Sequence, residues 1–240
     1  VPYIEGDPGI GKTSMMRSIY EMYRRNKVVQ YTDGDGKIKS KTINPDGFTH
    51  FVEYVAPEHE PTDFMMPFPN VDRTAVSMLP CEEFRYKDTD RVFFFIDEID
   101  KAPLMMQNIL GRIGNDGKVG NFNLPRGSFV AMAGNKITNK AGSVAAPTHI
   151  KSRRVFMSAH VDPMEWIEDV GIPMDVHSSI VSCIRTSPDI LHKFVASAPT
   201  FPSPRTWTKA GLALNHEMSE VTERIRISGH VGDAAANAFW

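Results

Sequence analysis

Apolar runs of strand length punctuate the first two-thirds of the chain, and helical spacing follows several of them. Five runs read as strands: Val1–Glu5, Phe51–Ala56, Val92–Ile96, Phe129–Ala133 and Val155–Val161. The third, Val92-Phe93-Phe94-Phe95-Ile96, does not alternate and is rich in aromatic and β-branched residues. That is the pattern of a strand buried on both faces. Alternating strands and helices predict an α/β fold with a parallel sheet flanked by helices. From Pro163 onward the pattern changes to short helical segments separated by Pro and Gly. These are Pro163–Val170, Ile180–Ile184, Ile190–Val195, and two that start near Thr206 and Ser219. The expected organisation is a core over residues 1–161 and a small helical domain over 162–240. An exposed hairpin is expected within the core over about 31–47, around the turn Asp33-Gly34-Asp35-Gly36-Lys37. Because a strand opens the chain, further residues are expected upstream of Val1.

Composition narrows the function classes. The 240 residues carry 27 Lys+Arg and 29 Asp+Glu, a formal charge of −2. A chain built mainly to coat nucleic-acid phosphates is strongly basic, so only a local basic groove remains open. The content of 41% hydrophobic and 23% charged residues excludes a disordered chain. Cys81 and Cys183 stand far apart without a CxxC, which supports neither a disulfide framework nor a zinc knuckle. The eight histidines show no ligand spacing. Asp33-x-Asp35 hints at a calcium loop, but the later ligands do not fit. No membrane-length apolar run and no secretory signal occur, so a soluble, cytoplasmic protein with no membrane partner is expected.

The candidate chemistry begins directly after the first strand. Gly6-Asp7-Pro8-Gly9-Ile10-Gly11-Lys12-Thr13 fits GxxxxGK(S/T) at every position. Gly9 and Gly11 allow φ > 0 and let backbone approach phosphate closely. Their N–H groups form an anion nest, and the helix opening at Thr13-Ser14 adds its N-terminal dipole. Residues Gly6 to Ser14 are thus candidate nucleotide ligands, with Lys12 reaching the β- and γ-phosphates and Thr13 offering its hydroxyl to Mg²⁺. The apolar run Val92–Ile96 ends in Asp97-Glu98-Ile99-Asp100. Asp97 at the strand end suits the hydrated metal beside Thr13, and Glu98 suits the polarisation of an attacking water.

A carboxylate immediately after the metal-holding Asp resembles the AAA+ ATPases. The stretch from Asp97 to Asn135 is similar to the MoxR-type members, with the helix Ala102–Leu110, a hairpin over about 115–127 that includes Gly117–Pro125, and a strand ending in Gly134-Asn135. The resemblance runs from Gly6 to about Phe239. It implies a core sheet ordered 5-1-4-3-2, a C-terminal helical lid, ATP/ADP and Mg²⁺ as cofactors, and a homo-oligomeric, hexameric ring. It implies that Asn135 is the sensor-1 residue, although Asn also caps helices and forms turns. Arg153 matches the arginine finger that completes a neighbour's site, with Arg154 a rival. Pro204-Arg205-Thr206-Trp207 resembles the sensor-2 segment, with Arg205 facing the phosphates and Trp207 in the core. Pro61–Pro69 resembles the stretch leading to the helix-2 insert, but Met66 or Pro67 stands where the family has Gly.

The activity implied is ATP hydrolysis coupled to chaperone-like remodelling of a protein substrate or complex, with the hairpin around Asn121-Phe122 acting in the pore. An AAA+ nucleic-acid motor or loader is the alternative, with Lys37, Lys39 and Lys41 as its phosphate contacts. A subunit that binds nucleotide without turning it over is the third.

Overall fold

The computed structural model describes residues 1–120, 122–136, 152–217 and 219–240. Asn121 and His149–Lys151, which the sequence reading placed in the pore hairpin and before the arginine pair, lie outside the described residues. In chain order the strands are β1 (Pro2–Glu5), β2 (Lys27–Thr32), β3 (Ile38–Ile43), β4 (His50–Val55), β5 (Met65–Pro69), β6 (Val76–Pro80), β7 (Val92–Asp97), β8 (Lys118–Val119), β9 (Phe122–Asn123), β10 (Phe129–Gly134) and β11 (Val155–Ser158). Helix α1 spans Lys12–Tyr23, α2 Leu104–Asp116, α3 Pro163–Trp166, α4 Ser178–Thr186, α5 Pro204–Leu214, α6 Glu220–Val231 and α7 Asp233–Phe239.

The described residues divide into two compact units: residues 1–5, 13–136 and 152–157 form one, and residues 6–12 and 158–240 the other. In the first, the main sheet is ordered β11-β1-β10-β7-β4. The ladders β1·β10, β10·β7 and β7·β4 are parallel. Central strand β7 is buried from Val92 to Ile96, as its unbroken apolar run requires. Phe93 packs among Tyr20 of α1, Phe48, Phe51 and Phe129. On the other face Phe94 meets Tyr54 and Phe84 and shares a core with Met106, Leu110 and Ile113 of α2. Helix α2 stops where Gly117, at φ 62°, donates its N–H to the Ile113 carbonyl, a left-handed cap that favours glycine.

Among the described residues three two-stranded ribbons accompany the sheet, β2–β3, β5–β6 and β8–β9. In β2–β3 the Asp33 carboxylate accepts from the N–H groups of Asp35 and Lys37 and pairs with Lys39 at 2.7 Å. The Asp33-x-Asp35 motif is therefore an Asx turn, not a calcium loop. The hairpin begins at Lys27, four residues before the expected start at 31. Ribbon β5–β6 contains Pro67, Pro69 and Pro80, residues that argue against a strand from sequence. A two-stranded ribbon tolerates them because both of its strands are edges.

The helical unit has its own core, in which Ile167, Ile180, Ile184, Leu191, Trp207, Ile227 and Val231 are fully buried. Asp162 caps α3 through the N–H groups of Met164 and Glu165, and a π turn over Ile167–Gly171 follows. The expected helix Ile190–Val195 is not formed. Pro188–Ile190 makes one 3-10 turn, and then Leu191 enters the core while the Lys193 N–H donates to the Pro202 carbonyl. Phe194 meets Phe201 edge to face. Its apolar residues thus anchor an irregular segment. Strand β11 stops at Ser158 rather than Val161.

Candidate functional site

The carboxyl ends of β1, β10 and β7 lie side by side, the edge of a parallel sheet where ligands bind. Asp97 is the last residue of β7. Its Oδ2 accepts a 2.5 Å hydrogen bond from Thr13 Oγ1, and its Oδ1 accepts from the Glu98 N–H at 2.8 Å. Two hard oxygen donors from positions 84 residues apart are thus brought together. This donor set fits Mg²⁺, which takes one or two carboxylates and keeps several waters. Ser14, the next residue, is exposed on the first turn of α1.

Glu98 adopts left-handed backbone, φ 53° and ψ 32°, a region that costs a non-glycine residue about 1 kcal/mol or more and recurs at functional sites. Lys101 Nζ donates to its Oε1 at 2.7 Å. Asn135 follows β10 and is buried, its N–H donating to Asp100 Oδ1 at 3.0 Å. Asp100 is itself buried. It escaped the sequence reading because the last acid of DEID resembles a solvated turn residue.

In the helical unit, the segment Gly6–Lys12 folds against residues far along the chain. Gly9 and Gly11 have φ 80° and 93°, conformations that favour glycine. A Cβ at Gly9 would lie 2.7 Å from Ser203 Oγ. Lys12 Nζ donates to the carbonyls of Gly6 at 2.8 Å and Asp7 at 3.1 Å. The Gly9 carbonyl accepts from the Arg205 N–H at 3.1 Å. Arg205 itself is exposed in the first turn of α5, where Ser203 and Thr206 form a reciprocal capping box. Pro8 and Ile10 are half-buried. Asp7 Oδ2 lies 3.0 Å from His192 Nε2. His192 was missed in sequence, where it is one of eight histidines without ligand spacing.

The arginine pair separates. The Arg154 guanidinium lies 4.4 Å above the Tyr3 ring, and burial pulls its pKa down. Arg153 is exposed. Burial, with Asp100 adding to it, pushes the Tyr3 hydroxyl from 10.0 to about 12. The folded phenol therefore keeps its proton where the unfolded one loses it. Its stabilising effect is full below pH 10 and is lost as pH rises from 10 toward 12. Tyr3→Phe is expected to flatten the alkaline limb of the stability curve by about 2 kcal/mol, read from urea unfolding at stepped pH. An unchanged limb would assign the alkaline loss to other groups.

Comparison with protein-family models gives no match, and comparison with curated proteins gives none. Among solved structures, the chain is similar to the crystal structure of a "putative ATPase" from Cytophaga hutchinsonii, with 16% identity and a TM-score of 0.40. The match covers 92% of this chain and 56% of that one, so this chain spans little more than half the length of its structural neighbour. No described helix is long and apolar enough to cross a membrane.

Proposed function

We propose that the chain is a Mg²⁺-dependent ATPase of the AAA+ superfamily, MoxR-type, that couples hydrolysis to chaperone-like remodelling of a protein substrate. The observation that carries this reading is the hydrogen bond from Thr13 to Asp97. It joins a phosphate-binding motif to an acidic strand end, which a chance glycine-rich turn has no reason to do.

In this mechanism the nest of Gly9, Ile10, Gly11 and Lys12 holds the phosphates, and Thr13 and Asp97 hold the metal. The metal, when bound, neutralises charge developing on the phosphate oxygens. Glu98 accepts the proton of the attacking water, and the water's oxygen displaces ADP from the γ-phosphorus. Asn135 orients the water or γ-phosphate. Residues 162–240 would act as the lid, and Arg205 of α5 would be its contact to the phosphates. Arg153, exposed where Arg154 is committed to Tyr3, serves as the finger for a neighbouring subunit in a hexameric ring.

A second reading, a nucleic-acid motor, is favoured by one observation. The β2–β3 register sets Tyr31 opposite Lys39 and Val29 opposite Lys41, so Tyr31, Lys27, Lys39 and Lys41 share one ribbon face. An aromatic among cations is a surface on which bases can stack beside held phosphates.

The test is ATP turnover per chain against protein concentration. A rate that rises steeply and plateaus is expected, with Arg153→Ala lowering the plateau by about 10³-fold and Arg154→Ala lowering it far less. A measurable rate that is flat with concentration and indifferent to Arg153 would sink the shared-site mechanism. Salt-sensitive stimulation by single-stranded DNA would favour the second reading.

A further inference from the structure

We infer that Lys101 is a positioning residue for hydrolysis, its ammonium holding the Glu98 carboxylate in one orientation across a single tight turn. The inference rests on reading Glu98 as the proton acceptor of the ATPase.

A proton acceptor works from one geometry, within hydrogen-bond reach of the water it deprotonates. Glu98 carries its carboxylate on a flexible side chain that is 37% exposed, so solvent leaves it rotamer freedom. Lys101 Nζ donates to Glu98 Oε1 at 2.7 Å. A hydrogen bond between opposite charges is about twice as strong as a neutral one. The Lys101 side chain is itself 32% exposed, and a pair this exposed adds little to folding stability. What it supplies is orientation. The contact engages one carboxylate oxygen, and a carboxylate has a second with which to accept. Lys101 thus restricts the base without joining the transfer. The proton passes from water to Glu98, and the lysine neither gives nor receives one.

The lysine is held on a rigid piece of backbone. Residues Ile99–Lys101 form one 3-10 turn, opened by the left-handed backbone of Glu98. Within it the Lys101 N–H donates to the Glu98 carbonyl at 2.9 Å. The two residues are therefore joined twice, once through backbone and once through side chains. Ile99 and Asp100 are buried between them, and the Asn135 N–H donates to Asp100 Oδ1 at 3.0 Å. Directly after the turn, Ala102 is fully buried, and its carbonyl accepts from Gln107 Nε2 of α2 at 3.0 Å. A turn anchored in the core along its length gives Lys101 a fixed base from which to reach back to Glu98.

The test is single-turnover hydrolysis of Mg·ATP by the full chain, with equilibrium binding of a fluorescent ATP analogue and Mg²⁺ measured on the same preparations. The wild type is compared with Lys101→Met, Lys101→Arg, Glu98→Gln and the double variant Glu98→Gln/Lys101→Met. Lys101→Met keeps the apolar stem and removes the charge. It is expected to slow hydrolysis about tenfold and to leave binding within about twofold, the split that marks a loss of orientation rather than of affinity. Lys101→Arg, which keeps a cationic donor, recovers most of the rate. The double variant hydrolyses within about twofold of Glu98→Gln, because no carboxylate is left to orient. A Lys101→Met rate equal to wild type would overturn the inference. So would a faster rate, which would make the contact a brake, and so would a Lys101→Arg variant as slow as Lys101→Met. A further loss of about tenfold in the double variant would also overturn it, since Lys101 would then act on a group other than Glu98. If circular dichroism shows Lys101→Met unfolded, Lys101→Gln is read in its place, and a rate equal to wild type overturns the inference. Wild type and Glu98→Gln hydrolysing alike would instead remove the proton-acceptor reading, and this inference with it. A slow Glu98→Gln beside an unimpaired Lys101→Met fails the inference alone.

Discussion

Glu98→Gln is expected to lower ATP turnover by about 10²–10⁴-fold while leaving Mg·ATP binding within about twofold. The amide has the same shape and keeps an oxygen for Lys101 Nζ, which now donates to Glu98 Oε1 at 2.7 Å. It also meets the same left-handed backbone, φ 53°, so the strain at this position is unchanged. What the amide cannot do is take a proton from water. Single-turnover hydrolysis and a binding titration on the same preparation separate the two effects. A parallel loss of affinity and turnover would make Glu98 a structural residue of the strand end, and the assignment of the proton acceptor would be wrong.

Trp207→Ala is expected to destabilise the helical unit by about 3–5 kcal/mol, the range for deleting a large buried aromatic. Trp207 is fully buried, and its Nε1 donates to the Ile190 carbonyl at 2.8 Å. The change therefore leaves both a cavity and an unpaired acceptor, the latter worth about 1 kcal/mol or more. For a unit of this size the loss lowers the unfolding midpoint by more than about 10 °C. Trp207 also sits two residues after Arg205 and four after Ser203, the N-cap of α5, and both of these meet Gly9. Nucleotide affinity is therefore expected to fall together with stability. Differential scanning calorimetry with and without Mg·ATP checks both, and a midpoint shift under about 3 °C would place the core of the unit elsewhere.

Much of the candidate site was legible because its chemistry is local in sequence. Asp97-Glu98 at the end of an unbroken apolar run, and glycines at fixed offsets before Lys12-Thr13, are constraints imposed by backbone geometry and phosphate shape. The sheet was legible for a similar reason, since only a strand covered on both faces tolerates Phe93-Phe94-Phe95 in succession. Other features depended on contacts that no local pattern encodes. Prolines at 67, 69 and 80 hid the β5–β6 ribbon, because their prohibition applies to interior strands and not to a ribbon made of two edges. Helical spacing over Ile190–Val195 misled because Leu191 and Phe194 are anchored separately, one in the core and one on Phe201. Arg153 and Arg154 could not be ranked from composition. In the structure the Arg154 guanidinium lies above the Tyr3 ring, whereas Arg153 is exposed.

The chain path has a consequence for dissection. Residues 6–12 lie near the start of the chain, yet they fold with residues 158–240. Their partners Ser203, Arg205 and His192 all come from the last quarter of the sequence. A fragment ending near residue 157 would retain the main sheet and every letter of the glycine-rich motif, but not Ser203, Arg205 or His192. A fragment starting at residue 158 would have the converse defect, a fully formed cradle with nothing to hold. No single cut yields an autonomous nucleotide-binding piece, and the smallest faithful version of this loop is close to the whole chain.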